Sequence, residues 1–119
     1  FQGQSVIAGK NFQHSGSCGP WMTTADEIAD PMNLQLTTRL NGDVVQNEST
    51  EQLFYSVPNI IAYVSQFTPL HPGDVIATGT PSGVGAGRKP PLWMKPGDRI
   101  EVEISGLGCL ANNVVAEDG

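Results

Sequence analysis

Hydrophobic and polar residues alternate in two stretches that meet at an Asn-Gly pair. LQLTTRL runs from Leu34 to Leu40, Asn41-Gly42 follows, and DVVQNES continues from Asp43 to Ser49. This alternation has the two-residue period of a strand, and Asn-Gly is a pair that two-residue hairpin turns prefer. The pattern predicts a β-hairpin with one face on a core and the other in water.

The stretch from Val57 to Phe67 carries apolar residues at helical spacing. They are Ile60, Ile61, Val64 and Phe67. Together they make one apolar face, which predicts a helix over this stretch. Ser56 is a suitable N-cap, and Pro58 falls in the first turn, where a missing N–H costs nothing. A second, shorter helical stretch is predicted at Ser49–Gln52, capped by its first or second residue.

Two Pro-Gly-Asp turns, at residues 72–74 and 96–98, each lead into a predicted strand. These strands are Asp74–Ala77 and Arg99–Ser105. Further strands are predicted at Cys109–Ala116 and, near the start of the chain, at Ser5–Ala8. The total of about six strands and one clear helix predicts a mainly-β fold, because the helices that join parallel strands are missing.

Composition and charge limit the classes of partner that are expected. The chain has 119 residues, of which 39% are hydrophobic and 15% charged, as in one globular domain. A net charge of -6 repels phosphate backbones and anionic lipids, so neither nucleic acid nor a membrane is an expected partner. Cys18 and Cys109 are isolated thiols, and the start FQGQSV is not a signal peptide, which together predict a reducing, cytoplasmic location.

Two Gly-rich loops hold the candidate chemistry. GKNFQHSGSCGPW, residues 9–21, contains Lys10, which can bind a carboxylate or stabilise an enolate oxygen. TGTPSGVGAGRKPP, residues 78–91, has backbone N–H groups that can approach an anion closely. Neither loop matches a Walker A motif, a dinucleotide fingerprint or a serine-hydrolase elbow. The residues alone leave two interpretations open. Either the two loops form an anion site, or Lys10 is a solvated surface lysine and residues 78–91 form a structural turn.

The remaining ionisable residues give weaker signals. Glu101 and Glu103 lie two apart on a predicted strand, so both carboxylates face one side and resemble a hard-cation site. The alternative is a solvated face of the sheet. His71, in a turn, is expected at the surface.

Five segments resemble, in this order, the fumarylacetoacetate hydrolase family. They are GKNFQHSGSCGPW, TTADEIADPMNLQL, LNGDVVQNEST, PLHPGDVIATGTPSGVG and MKPGDRIEVEISGLGCLANNV. The resemblance covers nearly the whole chain and implies that residues 1–119 form one partial catalytic domain. It implies a mixed β-sandwich or roll of the fumarylacetoacetase C-terminal-like type, with one or two short helices, in a homodimer.

The resemblance also implies a metal-dependent enzyme that acts on 2-oxo or 1,3-dioxo acids. The expected metal is Mg²⁺, with Mn²⁺ or Ca²⁺ as alternatives, and its role is to stabilise an enolate. Hydrolytic C–C cleavage, as of fumarylacetoacetate or an acylpyruvate, is the expected reaction. The alternatives are isomerisation of the 2-hydroxyhepta-2,4-diene-1,7-dioate type, decarboxylation, hydration, or a non-catalytic module that binds small anions.

Individual residues take roles from the same resemblance. Lys10 matches the family's catalytic lysine, Gln2 matches a substrate-contacting glutamine, and Gly79 and Thr80 match its substrate-binding segment. His14 stands where some members have a threonine that contacts a cation, which makes it a candidate near the metal. The resemblance implies that the metal ligands, a Glu-x-Glu and a following Asp in the family, lie before the first residue of this chain. The chain is therefore expected to be a C-terminal part whose missing N-terminal portion holds the metal.

Overall fold

The computed structural model describes residues 11 and 14–116. Within this part of the chain, four strands and one α-helix form, together with short 3₁₀ turns. They are β1 (Gln35–Leu40), β2 (Asp43–Ser49), α1 (Val57–Val64), β3 (Arg99–Ile104) and β4 (Gly108–Asn113), with 3₁₀ turns at Ala25–Glu27, Thr50–Gln52 and Gly85–Gly87. The mainly-β prediction is confirmed.

The four strands form one antiparallel sheet in the order β2-β1-β3-β4. Leu36 on β1 pairs with Glu48 on β2 and with Ile104 on β3, so these three residues make a row across the sheet. Directly paired residues share a face, which places this row and Thr38 on the same side. Leu40 and Thr38, both on β1, are the buried residues of the described part of the chain. The core therefore lies along β1.

The predicted hairpin turn at Asn41-Gly42 is present. Asn41 and Gly42 have φ of 53° and 90°, as a type I′ turn requires. The Asn41 side chain donates to Asp98 Oδ1 at 2.8 Å and accepts from Arg99 N at 2.9 Å. Asp98 Oδ2 accepts from Lys95 N at 2.7 Å. These bonds join the hairpin turn to the second Pro-Gly-Asp turn, so β1 and β3 meet in a fixed register.

The helix begins as predicted and ends early. Ser56 Oγ accepts from Asn59 N at 3.4 Å, which confirms the N-cap. The predicted end at Phe67 is wrong, because α1 stops at Val64. Ser65 Oγ donates to the Ala62 carbonyl, and the next two N–H groups, those of Gln66 and Phe67, bond three residues back rather than four. The chain therefore tightens into a turn before it reaches Phe67.

The strand predicted at Asp74–Ala77 is not formed. His71 N donates to Asp74 Oδ2 at 2.8 Å, so the first Pro-Gly-Asp turn is present, but irregular chain follows it. A strand needs a neighbour for its N–H and C=O groups, and no strand of the described residues pairs with this segment. Val75 is 83% exposed, so its apolar character here does not reflect burial in a sheet. The strand predicted at Ser5–Ala8 lies outside the described residues.

A β-bulge in β2 shapes the later Gly-rich loop. Thr38 pairs with Gln46 and Arg39 pairs with Val44, so the register skips Val45. An Arg88 guanidinium nitrogen donates to the Val45 carbonyl, and Arg88 Nε donates to Gly83 O at 3.0 Å. Because a bulge leaves its extra residue outside the ladder, the Val45 carbonyl is available to this arginine. The loop is therefore fastened to the strand beside it.

Gly83 lies directly against the bulge. Its φ is 98°, and a Cβ at this position would overlap the Val45 carbonyl oxygen. Gly97 has a similar φ of 94°, but no atom lies within 4 Å of a Cβ built there. Both glycines therefore have a positive φ, but only at Gly83 would a side chain also collide with a neighbouring strand.

We predict that Gly83→Ala destabilises the protein more than Gly97→Ala. Both changes force alanine into the left-handed region, which costs about 1–2 kcal/mol. Gly83→Ala adds a steric overlap with backbone, worth about a further 1–3 kcal/mol. Urea unfolding of the two purified variants measures the difference, and equal losses would contradict the close contact with β2.

A second prediction concerns acid stability. The hydrogen bonds from Asn41 and from Lys95 N hold the pKa of Asp98 below its ordinary value of 3.8. A lowered folded pKa adds stability above the unfolded pKa, and this stability is lost as the pH falls through the folded pKa. Asp98→Asn should therefore lower the free energy of unfolding at neutral pH, and its difference from the wild type should shrink below pH 3.8.

Asp43→Asn is the matched control for the acid experiment. It makes the same charge change at the adjacent hairpin turn, where Asp43 pairs with Leu40. Denaturant midpoints measured over a range of pH values compare the two variants. The same pH dependence in both would show that the Asp98 contacts do not couple to protonation.

Candidate active-site cleft

The start of the Gly-rich loop and the end of β2 enclose a cleft of about 380 Å³. Thr78, Gly79, Thr80 and Pro81, hereafter the TGTP segment, line one side of it. Residues 48–50 and 52–54 also line the cleft. The bulge contacts described above fix the loop against β2, and β2 itself contributes Glu48 and Ser49 to the lining.

The base of the cleft is largely apolar. It is the row across the sheet, in which Leu36 lies between Glu48 and Ile104. Leu53 adds apolar surface, and Phe54 lies at the rim, where it is 91% exposed. Sites for small molecules are commonly apolar hollows with a few placed polar groups, and this cleft has that character.

Hydroxyl groups supply most of the polar lining. Thr50 Oγ1 accepts from Leu34 N at 2.9 Å, and Ser49 Oγ accepts from Glu51 N at 3.1 Å. These bonds hold both side chains in place beside the cleft. Gly79 has φ of 121° with open space where a Cβ would lie, so its backbone faces the cleft without a side chain in the way.

Thr80 is held by a side chain of the strand. Gln46 Nε2 donates to Thr80 Oγ1 at 3.2 Å and to Pro81 O at 3.0 Å. Gln46 Oε1 accepts from Thr38 Oγ1 at 2.9 Å. A buried threonine in the centre of the sheet is thus connected to the TGTP segment through one amide.

The charge of the cleft is negative. Among the described residues that line it, Glu48 is the charged one, and none is a lysine, arginine or histidine. A small acid bound here would lie near one carboxylate with no opposite charge from this part of the chain. Its counter-charge must come from a group outside the described lining.

The structure brings together part of the predicted site. Gly79 and Thr80 line the cleft, and their role in substrate binding stays a prediction. Lys10 and Gln2 lie outside the described residues. His14 is exposed, with φ of 57°, and does not belong to the described residues that line the cleft.

The described residues do not fit the divalent metal that the resemblance implies. No group of three or more histidine, cysteine, aspartate or glutamate side chains within them could hold a metal ion. Glu103 Oε2 lies 2.7 Å from Arg39 Nη1, and Glu101 Oε1 lies 3.1 Å from Arg99 Nη2. The hydrogen bond to Glu103 raises the pKa of Arg39. The strand carboxylates therefore form ion pairs on a solvated face, in agreement with the alternative interpretation of this pair.

Cys18 and Cys109 are free and exposed, as isolated thiols should be. No helix of the described part is long and apolar enough to cross a membrane.

Sequence reasoning missed Gln46, Arg88 and Glu48. Gln46 and Glu48 lie two apart on β2, so the strand period places them on one side. The alternation of residues therefore predicts that Gln46 and Glu48 share a face of the strand, but it does not predict which residues they contact. Arg88 has no local signal, because its acceptor at Val45 becomes available only through the bulge.

Comparison with known proteins assigns these residues to a family. The family model "Fumarylacetoacetate (FAA) hydrolase C-terminal" matches residues 2–115. The mitochondrial oxaloacetate tautomerase Fahd2a of Rattus norvegicus is 46% identical over 113 residues, which cover 95% of this chain and 36% of that protein. The chain therefore spans little more than a third of the length of this relative.

Solved structures share the fold at similar identity. Maleylpyruvate hydrolase from Sphingobium sp. SYK-6, in complex with manganese(II) and pyruvate, is 43% identical with a TM-score of 0.73, over 82% of this chain and 34% of that one. A 2-hydroxyhepta-2,4-diene-1,7-dioate isomerase from Mycobacterium marinum is 40% identical with a TM-score of 0.70, over 82% and 34%. Relatives thus include hydrolases, isomerases and a tautomerase. Because the family model spans residues 2–115, the chain belongs to the fumarylacetoacetate hydrolase family.

Proposed function

We propose that the protein to which this chain belongs is a divalent-metal-dependent enzyme that acts on small 2-oxo or 1,3-dioxo acids. The observation that supports this most is the cleft, in which Gly79 and Thr80 face an apolar base formed by Leu36 and Ile104. A related hydrolase of the same fold has been solved with pyruvate, which is a 2-oxo acid.

The lining suggests how such an acid would lie. Its hydrocarbon part would cover the apolar base, and its oxygen atoms would accept hydrogen bonds from the TGTP segment. Glu48 also lines the cleft, and its carboxylate would repel a carboxylate of the substrate. These two effects together would direct the acid group away from Glu48 and towards the threonines.

The positive charge that the lining lacks is assigned to Lys10 in this proposal. A lysine that donates to the oxo oxygen stabilises negative charge as it develops there. The metal, whose ligands we place outside the described residues, would add to this charge. Gln2 is proposed as a further substrate contact, and His14 as a weaker candidate near the metal.

Two reactions are candidates. Hydrolytic C–C cleavage follows from the family resemblance and has a parallel in the related maleylpyruvate hydrolase. Tautomerisation of oxaloacetate is favoured by the 46% identity with the rat tautomerase over 95% of this chain. Both reactions break a bond next to a carbonyl, so the same anion-stabilising groups serve either one. The homodimer and the cytoplasmic location remain predictions.

We predict that removal of divalent metal abolishes turnover by the whole protein. Metal-free protein, prepared with EDTA, should neither cleave an acylpyruvate nor tautomerise oxaloacetate, and added Mg²⁺ or Mn²⁺ should restore one of the two activities. Ultraviolet absorbance of the enol and dioxo forms follows both reactions. Full activity without metal would contradict the metal dependence, and no activity with metal on either acid would favour the non-catalytic module.

We also predict that Lys10→Met separates an enzyme from an anion-binding protein. Loss of a group that stabilises the transition state should lower kcat by about 100-fold or more, with a smaller loss of binding. Lys95→Met is the control, because Lys95 lies at the second Pro-Gly-Asp turn and outside the described cleft lining. Steady-state kinetics and calorimetric titration with pyruvate give the two quantities. Equal losses of turnover and binding would contradict a catalytic role.

A further inference from the structure

Gln46 lies in the middle of β2. Its side chain reaches past the strand to the TGTP segment, where it bonds both Thr80 and Pro81. We propose that Gln46 is a positioning residue that holds Thr80 as a hydrogen-bond donor towards the substrate. This inference rests on the proposed function, because it assumes that an oxo acid occupies the cleft.

The direction of the amide is determined by its partners. The Pro81 carbonyl can only accept a hydrogen bond, so the NH₂ group of Gln46 must face it. The amide oxygen then faces Thr38, whose hydroxyl donates to it at 2.9 Å. A reversed amide would place oxygen against oxygen at Pro81 and leave Thr38 opposite an NH₂ group. The arrangement therefore has one orientation in which every partner is satisfied.

That orientation decides what Thr80 can do. Because the NH₂ group donates to Thr80 Oγ1, the hydroxyl oxygen acts as an acceptor on the strand side. The hydroxyl hydrogen is then directed to another acceptor. Thr80 lines the cleft, so an oxygen of a bound acid is a suitable acceptor. Gln46 thus selects the donor role of Thr80 as well as its position.

The surroundings keep Gln46 in place. Thr38 is only 5% exposed and lies on the central strand β1. On the loop side, the site of a Cβ on Gly83 lies 3.2 Å from Gln46 Cγ, so the loop backbone closes over the side chain. Arg88 holds the same loop through Gly83 and Val45. Movement of the TGTP segment therefore requires the amide to give up its bonds.

Hydrogen exchange and kinetics on the whole protein test the proposal together. Gln46→Met keeps the length of the side chain and removes both donors. Asn47→Leu is the matched control, because Asn47 is the adjacent amide on β2 and bonds Gln35 and Thr37 rather than the loop. Exchange of the hydrogen-bonded backbone amides of the same loop, at Gly87, Arg88 and Leu92, reports how firmly the loop is held. KM and kcat on the acid that the wild type turns over report binding and chemistry.

We expect Gln46→Met to speed exchange of these three loop amides and to raise KM, each by about tenfold, with kcat nearly unchanged. Asn47→Leu should change neither quantity. Thr38→Val, which removes only the hydroxyl behind the amide, should change both in the same direction and by less. Because this variant keeps the shape of the threonine, it also serves if Gln46→Met fails to fold.

Other results would overturn the proposal. Unchanged exchange in Gln46→Met would show that the amide does not hold the loop. Faster exchange with unchanged KM would show that it holds the loop without orienting Thr80 for substrate. A wild type without turnover would count against the proposed function instead, and pyruvate affinity from calorimetry would then replace KM, with equal affinity in wild type and Gln46→Met overturning the role of Gln46.

Discussion

The attachment of the Gly-rich loop to β2 is the constraint on which the candidate site depends. The loop has little regular structure, so its shape comes from contacts with its neighbours. Arg88 bonds the carbonyl that the bulge leaves outside the ladder, and Gln46 bonds the TGTP segment. Each such bond contributes about 0.5–1.5 kcal/mol, which is enough to favour one loop position without making it immovable.

Glycine at two loop positions allows this attachment. A Cβ on Gly83 would overlap the Val45 carbonyl, and one on Gly85 would overlap the Leu92 carbonyl. Gly85 O also accepts from Leu92 N at 3.0 Å, so the loop folds back on itself there. The glycine-rich composition therefore reflects close backbone packing at these positions. At Gly79 the space is open, and the positive φ alone explains the residue.

The features that could be predicted from the sequence are those determined by residues close together in the chain. The Asn41-Gly42 turn, the Ser56 cap and the alternating strands each depend on neighbours in the chain, and all appear in the structure. The strand expected at Asp74–Ala77 has the right residue types but no described partner, and pairing is not a local property. The bulge at Val45 is non-local for the same reason, because it is defined by the partner strand.

The same distinction applies to the site. Gly79 and Thr80 were identified from a motif, and the structure places them at a cleft. Gln46 belongs to a strand whose pattern identified only a hairpin, and its contact with Thr80 spans 34 positions in sequence. Here the motif identified residues that line the cleft, whereas Gln46, which holds one of them through a hydrogen bond, could be identified only from the structure.

In the proposed site, electrostatic attraction and hydrogen bonding make different contributions to binding of the acid. The chain carries a net charge of -6, and the described cleft lining adds a carboxylate and no cation. Binding of an acid here cannot come from the charge of the described residues, since that charge opposes it. Their contribution is to offer directed hydroxyl donors over an apolar base, which distinguishes one orientation of the acid from another. Lys10 and the metal would then supply attraction, while Thr80, oriented by Gln46, would bind one oxygen atom of the acid and so fix how the acid lies over the apolar base.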